Sequence, residues 1–369
     1  MMIAKHIRKL EGYVPGEQPK SARVVKLNTN ENPYPPSPKC TKAIADFDAT
    51  RLRRYPDPDC NALRAVLAKL NGTVPERVFV GNGSDEILSL AARCFVENDE
   101  AIGSLDPSYS LYKTLAAIRD VRWVGTTIPP NHNTTIPPYH HTTIPPYHNT
   151  TLPPYHLTTQ PVSLFLWTNP NAPTGEFAEP SAIAKFAAKF KGVVLIDEAY
   201  ADFARENCMS LATAAKNRNV IVMRTFSKSY SLAGLRVGYC VGPEDLIAAL
   251  FKAKDSYNID ALAQVVALAA AKDQKWMKAN VARVRKTRKR FTQELEKRGW
   301  DVIPSESNFV FAKPPPAFAA KVVFESLKAK NIFVRYFPGP LTGERLRITI
   351  GTDGEIDTLL AALDDRFCR

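Results

Sequence analysis

The most restrictive feature of this chain is a succession of short, unbroken apolar runs between residues 77 and 242, separated by stretches with helical periodicity. "RVFVG" precedes "SDEILSLAARCFV", "SLFLWTNPN" precedes "PSAIAKFAAKF", and "GVVLIDEAY" and "NVIVMRTFS" complete the series. A strand with one wet face alternates apolar and polar residues, whereas a strand that is apolar throughout is buried on both faces. Such strands alternating with helices predict an α/β fold, a mostly parallel sheet flanked by helices, in a large domain over 31–250. Beyond residue 250 the chain turns helical and then returns to short strands, "SNFVFAKP" and "RLRITIG", around another helix. That predicts a smaller α+β domain over 251–369. Residues 1–30 read as an irregular N-terminal arm packing with the small domain.

One segment departs from this pattern. Residues 126–157 are four octapeptides, TTIPPNHN, TTIPPYHH, TTIPPYHN and TTLPPYHL. A Pro-Pro pair in each forbids helix and removes ladder donors, so the insertion is expected to be an extended, polyproline-like hairpin or arm. Five of the six histidines lie in it. A helix of three residues per turn does not return to the same face after eight residues, so successive histidines do not line up and no metal site is expected. Asn133 and Asn149 stand in Asn-Thr-Thr sequences, which matter for glycosylation only in a secreted chain.

Charge and composition narrow the partners. The net charge of +12 is compatible with nucleic acid, a membrane surface or anionic small substrates. The densest basic run, "RVRKTRKR" at 283–290, sits in a stretch with helical spacing and has no interleaved aromatics, which reads as a solvated helix face. A non-catalytic protein binding nucleic acid through that run is the rival from another class. No apolar run approaches the ~20 residues needed to cross a bilayer, and "MMIAKHIRKL" has no apolar core of a secretory signal. Six scattered cysteines without a Cys-x-x-Cys pair suggest reduced thiols in a cytoplasm and no zinc framework.

Three strand ends carry candidate chemistry. "VGNGSDEI" (80–87) ends a strand in Gly-Asn-Gly and opens a helix at Ser84-Asp85, a cradle suited to phosphate, although Asp85 would equally serve as a helix cap. "VVLIDEAY" ends a buried strand in Asp197-Glu198, with Tyr200 following, where α/β sheets bind ligands. "TFSKSYSLAGLRVGY" (225–239) sets Lys228 among small hydroxylated residues with Arg236 behind it. A lysine that is partly desolvated near another cation loses its proton more readily and becomes a usable nucleophile. An amine, a carboxylate and a phosphate cradle are what pyridoxal phosphate requires.

On these residues the chain resembles the fold-type I pyridoxal-phosphate aminotransferases and, within them, the histidinol-phosphate aminotransferase family. The resemblance is carried in order by "LNTNENPYPPSP", "RYPDP", "GNGSDEI", "DPSYSLY", "NPNAPTG", "DEAY", "TFSKSYSLAGLRVGY" and "LRITIG", and spans nearly the whole chain outside the repeat. It implies that Lys228 forms the Schiff base with the cofactor and shuttles the substrate proton. Asp197 would pair with the ring nitrogen, Tyr200 with the phenolic oxygen, and Tyr109 would stack on the ring. Ser84, Asp85, Ser227 and Arg236 would hold or border the phosphate, with Tyr55 reaching it from the second subunit of a homodimer. The family has an asparagine immediately before "PTG"; here that residue is Ala172, and Asn171 is the candidate in its place. Arg335 and Arg347 match the family's anion-binding arginines, with Tyr13 closing the site from the arm.

The resemblance implies transamination of L-histidinol phosphate with 2-oxoglutarate, in histidine biosynthesis, by a cytoplasmic homodimer with small-molecule substrates and without nucleic acid or membrane. An aromatic or broad-specificity aminotransferase on the same fold is the alternative. A phosphothreonine decarboxylase fits "LNTNENPYPPSP" less well.

Overall fold

The computed structural model describes residues 2–10, 12, 16–19, 24–126 and 161–367. Tyr13 and the octapeptide repeat beyond Thr126 lie outside the described residues. So do the expectations of an extended arm there and of histidines on different faces.

In chain order the strands are β1 (Val25–Lys26), β2 (Val78–Gly81), β3 (Ala101–Leu105), β4 (Arg122–Thr126), β5 (Val162–Thr168), β6 (Val193–Asp197) and β7 (Val220–Thr225). They continue with β8 (Gly238–Val241), β9 (Asp301–Ile303), β10 (Phe309–Lys313), β11 (Ile332–Phe333), β12 (Arg335–Tyr336) and β13 (Leu346–Thr349). Among the described residues β2 to β8 form a seven-stranded sheet in the order β2-β8-β7-β6-β5-β3-β4. β8 runs antiparallel to β2 and β7, and the other pairs are parallel. The mostly parallel sheet expected from the apolar runs is present.

Burial on both faces explains why those runs are unbroken. Phe165 and Trp167 of β5 point into one core, with Ile196 of β6 and Leu63, Leu67 and Ile183 from helices. Their neighbours Leu164 and Leu166 point into the opposite core, with Leu195, Ile87, Leu90 and Tyr112. A period of two across two apolar layers leaves no polar position. The edge strand β4 has exposed residues at Arg122 and Gly125, and its sequence "RWVGT" is correspondingly mixed.

The second sheet has the order β12-β13-β10-β9 and is antiparallel throughout. The short β1 of the arm pairs in parallel with β11 beside it. A third core joins Phe309, Ile348, Val323 and Leu359 to Phe291 and Leu295 of the helix Gln274–Lys297. Leu27 of the arm and Tyr200 and Phe203 from the segment after β6 enter the same core, so the two sheets are packed through it. The helix Lys5–Arg8 instead lies by the end of Leu111–Arg119, where His6 Nδ1 is 3.6 Å from Asp120.

The basic run lies within the helix Gln274–Lys297, and three of its four arginines are used by the protein itself. Arg288 donates to the carbonyls of Phe203 and Ser307. Arg290 pairs with Asp353 and Asp357, and Arg283 sits 5.0 Å over the ring of Tyr34. Among the described residues no helix is long and apolar enough to cross a membrane.

Candidate active site

Parallel strands present their carboxyl ends on one side of a sheet, and loops there bring distant residues together. The ends of β2, β3, β5, β6 and β7 open on one cavity of about 460 Å³. Asp197, Tyr200, Lys228 and the cradle residues line it, as do Arg335 and Arg347 from the second sheet.

Lys228 lines this cavity, three residues past the end of β7. Its Nζ donates to the carbonyl of Thr29 at 3.2 Å and lies 5.9 Å from the centre of the Tyr200 ring. Desolvation is the main reason its pKa falls to about 8, with the positive charges of Arg347 and Arg236 adding to it and Glu31 and Asp85 opposing. A lysine in this condition releases its proton near neutral pH. Its main chain is also held, because Asn32 Nδ2 donates to the carbonyls of Lys228 and Ser229.

Asp197 ends β6 with its carboxylate buried. Oδ2 accepts from the Tyr112 hydroxyl at 2.8 Å and Oδ1 from the backbone N–H of Ala199 at 3.0 Å. Burial nevertheless pushes its pKa up to about 6. A cationic ring nitrogen placed against it would reverse that shift, since an opposite charge favours the ionised carboxylate. The neighbouring Glu198 turns away, and its Oε2 accepts from both Nε and Nη2 of Arg224 at 2.9 and 2.8 Å. Of the two adjacent carboxylates, only Asp197 lines the cavity.

The cradle forms where β2 ends and the helix Gly83–Cys94 begins. Gly83 has φ +75°, and a Cβ there would meet Arg236 Nη2 at 2.6 Å. A Cβ on Gly238 would meet the backbone nitrogen of Ser84 at 2.7 Å. Both glycines are therefore required for Arg236 and the helix start to converge. Arg236, itself at φ +56°, reaches Asp85 Oδ2 at 3.2 Å and Ser227 Oγ at 3.5 Å. Free helical N–H groups, a guanidinium and a hydroxyl in one place bind a phosphate dianion. Cradle, amine, buried carboxylate and the Tyr109 ring at the cavity wall together fit a phosphorylated pyridine aldehyde.

Across the cavity, Arg335 and Arg347 are directly opposed partners on β12 and β13. Arg347 donates to the carbonyl of Asn28 at 2.9 Å, and its guanidinium lies over Phe309 and Phe337. Arg335 lies 5.3 Å over Phe337. Two guanidiniums packed on aromatic faces form a site for anions.

Not every candidate joins this group. Asn171 does not line the cavity: its amide donates to the Pro107 carbonyl and Thr174 Oγ1, and its oxygen accepts from Ser108. Ala172 lines the cavity in its place. Tyr55 is 80% exposed, outside this cavity, and stacks on Tyr257 at 4.3 Å.

Two contributors were not assigned from the sequence. Tyr112 supports Asp197, and the signal was its place in "DPSYSLY", one helical turn after Tyr109, whose ring it meets edge-on at 5.6 Å. Asn30, inside "LNTNENPYPPSP", donates to the Tyr200 hydroxyl at 2.9 Å. Nothing local to that segment reveals which distant residues it touches.

A family model for aminotransferase class I and II matches residues 22–363. The chain is 42% identical over 373 residues to the histidinol-phosphate aminotransferase of Syntrophotalea carbinolica, covering 98% of this chain and 99% of that one. It is 42% identical over 371 residues to the corresponding protein of Geobacter sp. strain M21, covering 98% and 97%. Its fold matches the crystal structure of histidinol-phosphate aminotransferase from Sinorhizobium meliloti in complex with pyridoxal-5'-phosphate. There the TM-score is 0.83 at 23% identity, over 99% of this chain and 97% of that one.

Proposed function

The chain belongs to the aminotransferase class I and II family, and from that premise we propose that it transfers the amino group of L-histidinol phosphate to 2-oxoglutarate. The products are imidazole-acetol phosphate and L-glutamate, a step of histidine biosynthesis. The observation that carries the substrate is the 42% identity, over 98% of the chain, to a histidinol-phosphate aminotransferase. The site agrees with it chemically: paired arginines take the phosphate of one substrate and a carboxylate of the other in turn.

The cofactor is pyridoxal phosphate. When bound it supplies an aldehyde that carries the amino group and a ring that withdraws electrons from the carbon being deprotonated. The helix start at Ser84 and Asp85, with Ser227 and Arg236, would hold its phosphate. Asp197 would face the ring nitrogen, Tyr109 the ring, Tyr200 the phenolic oxygen and Lys228 the aldehyde. With a pKa of about 8, the Lys228 amine is available to take a proton from the substrate carbon and return it. Burial of Asp197 keeps water from competing for its carboxylate. Arg347, held by Asn28, receives the substrate anion with little rearrangement.

The active unit is a cytoplasmic homodimer. Cofactor binding belongs to 31–250 and substrate arginines to 251–369; of the arm, Glu17 and Val25–Leu27 pack with the latter, while the helix Lys5–Arg8 lies against the former. Tyr55 reaches the phosphate cradle of the second copy, a role supported by its exposure and by its not lining its own cavity.

The test is glutamate formation from 2-oxoglutarate by the purified protein, with histidinol phosphate, phenylalanine or tyrosine as donor. A kcat/KM for histidinol phosphate at least about a hundredfold above the others supports the assignment, since a lost charged contact is worth roughly that much. Comparable values would move the protein to the aromatic or broad-specificity alternative.

A further inference from the structure

Tyr200 is held by a polar chain whose direction can be worked out atom by atom. Asn30 is buried and has φ +56°, a left-handed conformation that asparagine tolerates better than most residues. Its backbone N–H donates to Thr349 Oγ1 at 3.0 Å, and its Oδ1 lies 3.1 Å from the same hydroxyl. Its Nδ2 lies 2.9 Å from the Tyr200 hydroxyl, and its carbonyl accepts from Asn308 Nδ2 at 2.9 Å.

Thr349 Oγ1 already accepts one hydrogen, so its own hydrogen goes to Asn30 Oδ1. Turning the amide over would aim two donors at Thr349 and leave its hydroxyl hydrogen unpaired in a site that is 2% exposed, which carries a desolvation penalty. The amide is therefore oriented with its NH₂ toward Tyr200. An amide nitrogen only donates, so Tyr200 accepts there and its own hydrogen is directed elsewhere. Tyr200 lines the cavity. The result is a chain of donors running from Thr349 through Asn30 and Tyr200 into the site.

We propose that Asn30, oriented by Thr349, is a positioning residue that makes Tyr200 a one-way hydrogen-bond donor to the phenolic oxygen of the bound cofactor. This rests on the reading that pyridoxal phosphate occupies the cavity. The arrangement has a particular use here, because Ala172 offers no side-chain donor at the neighbouring cavity wall and the Asn171 amide is committed to the Pro107 carbonyl and Thr174. Tyr200 is then the side chain that supplies the ring oxygen with a proton donor. A donor at that oxygen stabilises its ionised form and lowers the pH at which the bound cofactor loses its proton. The charged groups facing Tyr200 are Arg347, Asp197, Asp85 and Lys228, and all four remain in each variant below.

The experiment is a pH titration of the visible absorption of the reconstituted holoenzyme. Asn30→Asp keeps the shape and backbone preference but replaces the donor by an acceptor, which draws the Tyr200 hydrogen out of the cavity. Its absorption midpoint is expected to rise by about one pH unit. In a Tyr200→Phe background the same substitution is expected to add less than about a third of that shift, as coupled residues do not act additively. Thr349→Val, which removes the hydroxyl that orients the amide, is expected to raise the midpoint by a smaller amount and serves if Asn30→Asp does not fold.

An unchanged midpoint in Asn30→Asp, or an equal shift with and without the Tyr200 hydroxyl, overturns the proposal; the second result would assign the shift to the new charge alone. If only Thr349→Val folds, an unchanged midpoint there overturns it. A wild-type protein that takes up no absorbing cofactor overturns the reading of the site, and this inference with it.

Discussion

The hydroxyl of Tyr112 donates to Asp197 Oδ2 at 2.8 Å while lying 2.6 Å from Thr168 Oγ1, and it does so from a fully buried position. The contact joins the helix Leu111–Arg119 to the end of β6 and holds the carboxylate that lines the cavity. A hydrogen bond to a charged acceptor is worth roughly 1.5–3 kcal/mol. Tyr112→Phe is therefore expected to weaken cofactor binding by about tenfold or more. Binding should also fail on the acid side near pH 6, where Asp197 loses its charge, and this limb should move to higher pH in the variant. Cofactor dissociation constants measured between pH 5 and 8 check both; an unmoved limb would mean that Tyr112 only fills space.

Lys228 trades stability for reactivity. Its pKa falls from 10.5 to about 8 on folding, so the unfolded chain holds the proton more tightly. Below pH 8 this opposes folding in full, and the penalty fades as pH rises from 8 to 10.5. Lys228→Met is expected to abolish transamination yet stabilise the apoprotein at pH 7, by at most about 3 kcal/mol. Urea unfolding at pH 7 and pH 10 is the measurement, and the gain should shrink at the higher pH.

Arg335 and Arg347 face each other across β12 and β13, and like charges so placed destabilise a sheet until an anion lies between them. Arg347→Lys keeps the charge but loses the planar fork. The KM for histidinol phosphate and for glutamate should each rise about tenfold, with a smaller change in kcat. Separate steady-state kinetics for the two substrates decide it, and a rise for one alone would show that the arginines divide the substrates between them.

Asn171 makes three side-chain hydrogen bonds, to Pro107 and Ser108 of the loop after β3 and to Thr174 of its own loop. Asn171→Ala leaves the Pro107 carbonyl without its donor, and is expected to destabilise the fold by roughly 1–3 kcal/mol. Cofactor affinity, compared at a temperature where both proteins are folded, should change little. A large loss of affinity with unchanged thermal stability would return Asn171 to the ring-binding role.

The sheet was legible because its signal is local and repeated: each two-faced strand needs an apolar residue at every position, as the paired cores behind Leu164 to Trp167 demonstrate. Lys228, Asp197 and the Gly-Asn-Gly turn were legible for a related reason, since a parallel strand must end on the ligand side and charged or glycine-rich residues there stand out after an apolar run. The placement of Asn171 was not legible, for a local reason too. One position along a loop decides whether a side chain enters the cavity or the loop's own hydrogen bonds, and residue type does not distinguish them.

By itself, the sequence determined the α/β class, the family and the chemistry of the strand ends, because these follow from periodicity and from residues near one another in the chain. The tertiary structure decided which groups regulate that chemistry. Tyr112 acts on Asp197 from 85 residues away, Asn30 on Tyr200 from 170 and Thr349 on Asn30 from 319. The direction of a hydrogen bond across such separations depends on how each partner's remaining donors and acceptors are satisfied, and only the packed structure specifies that.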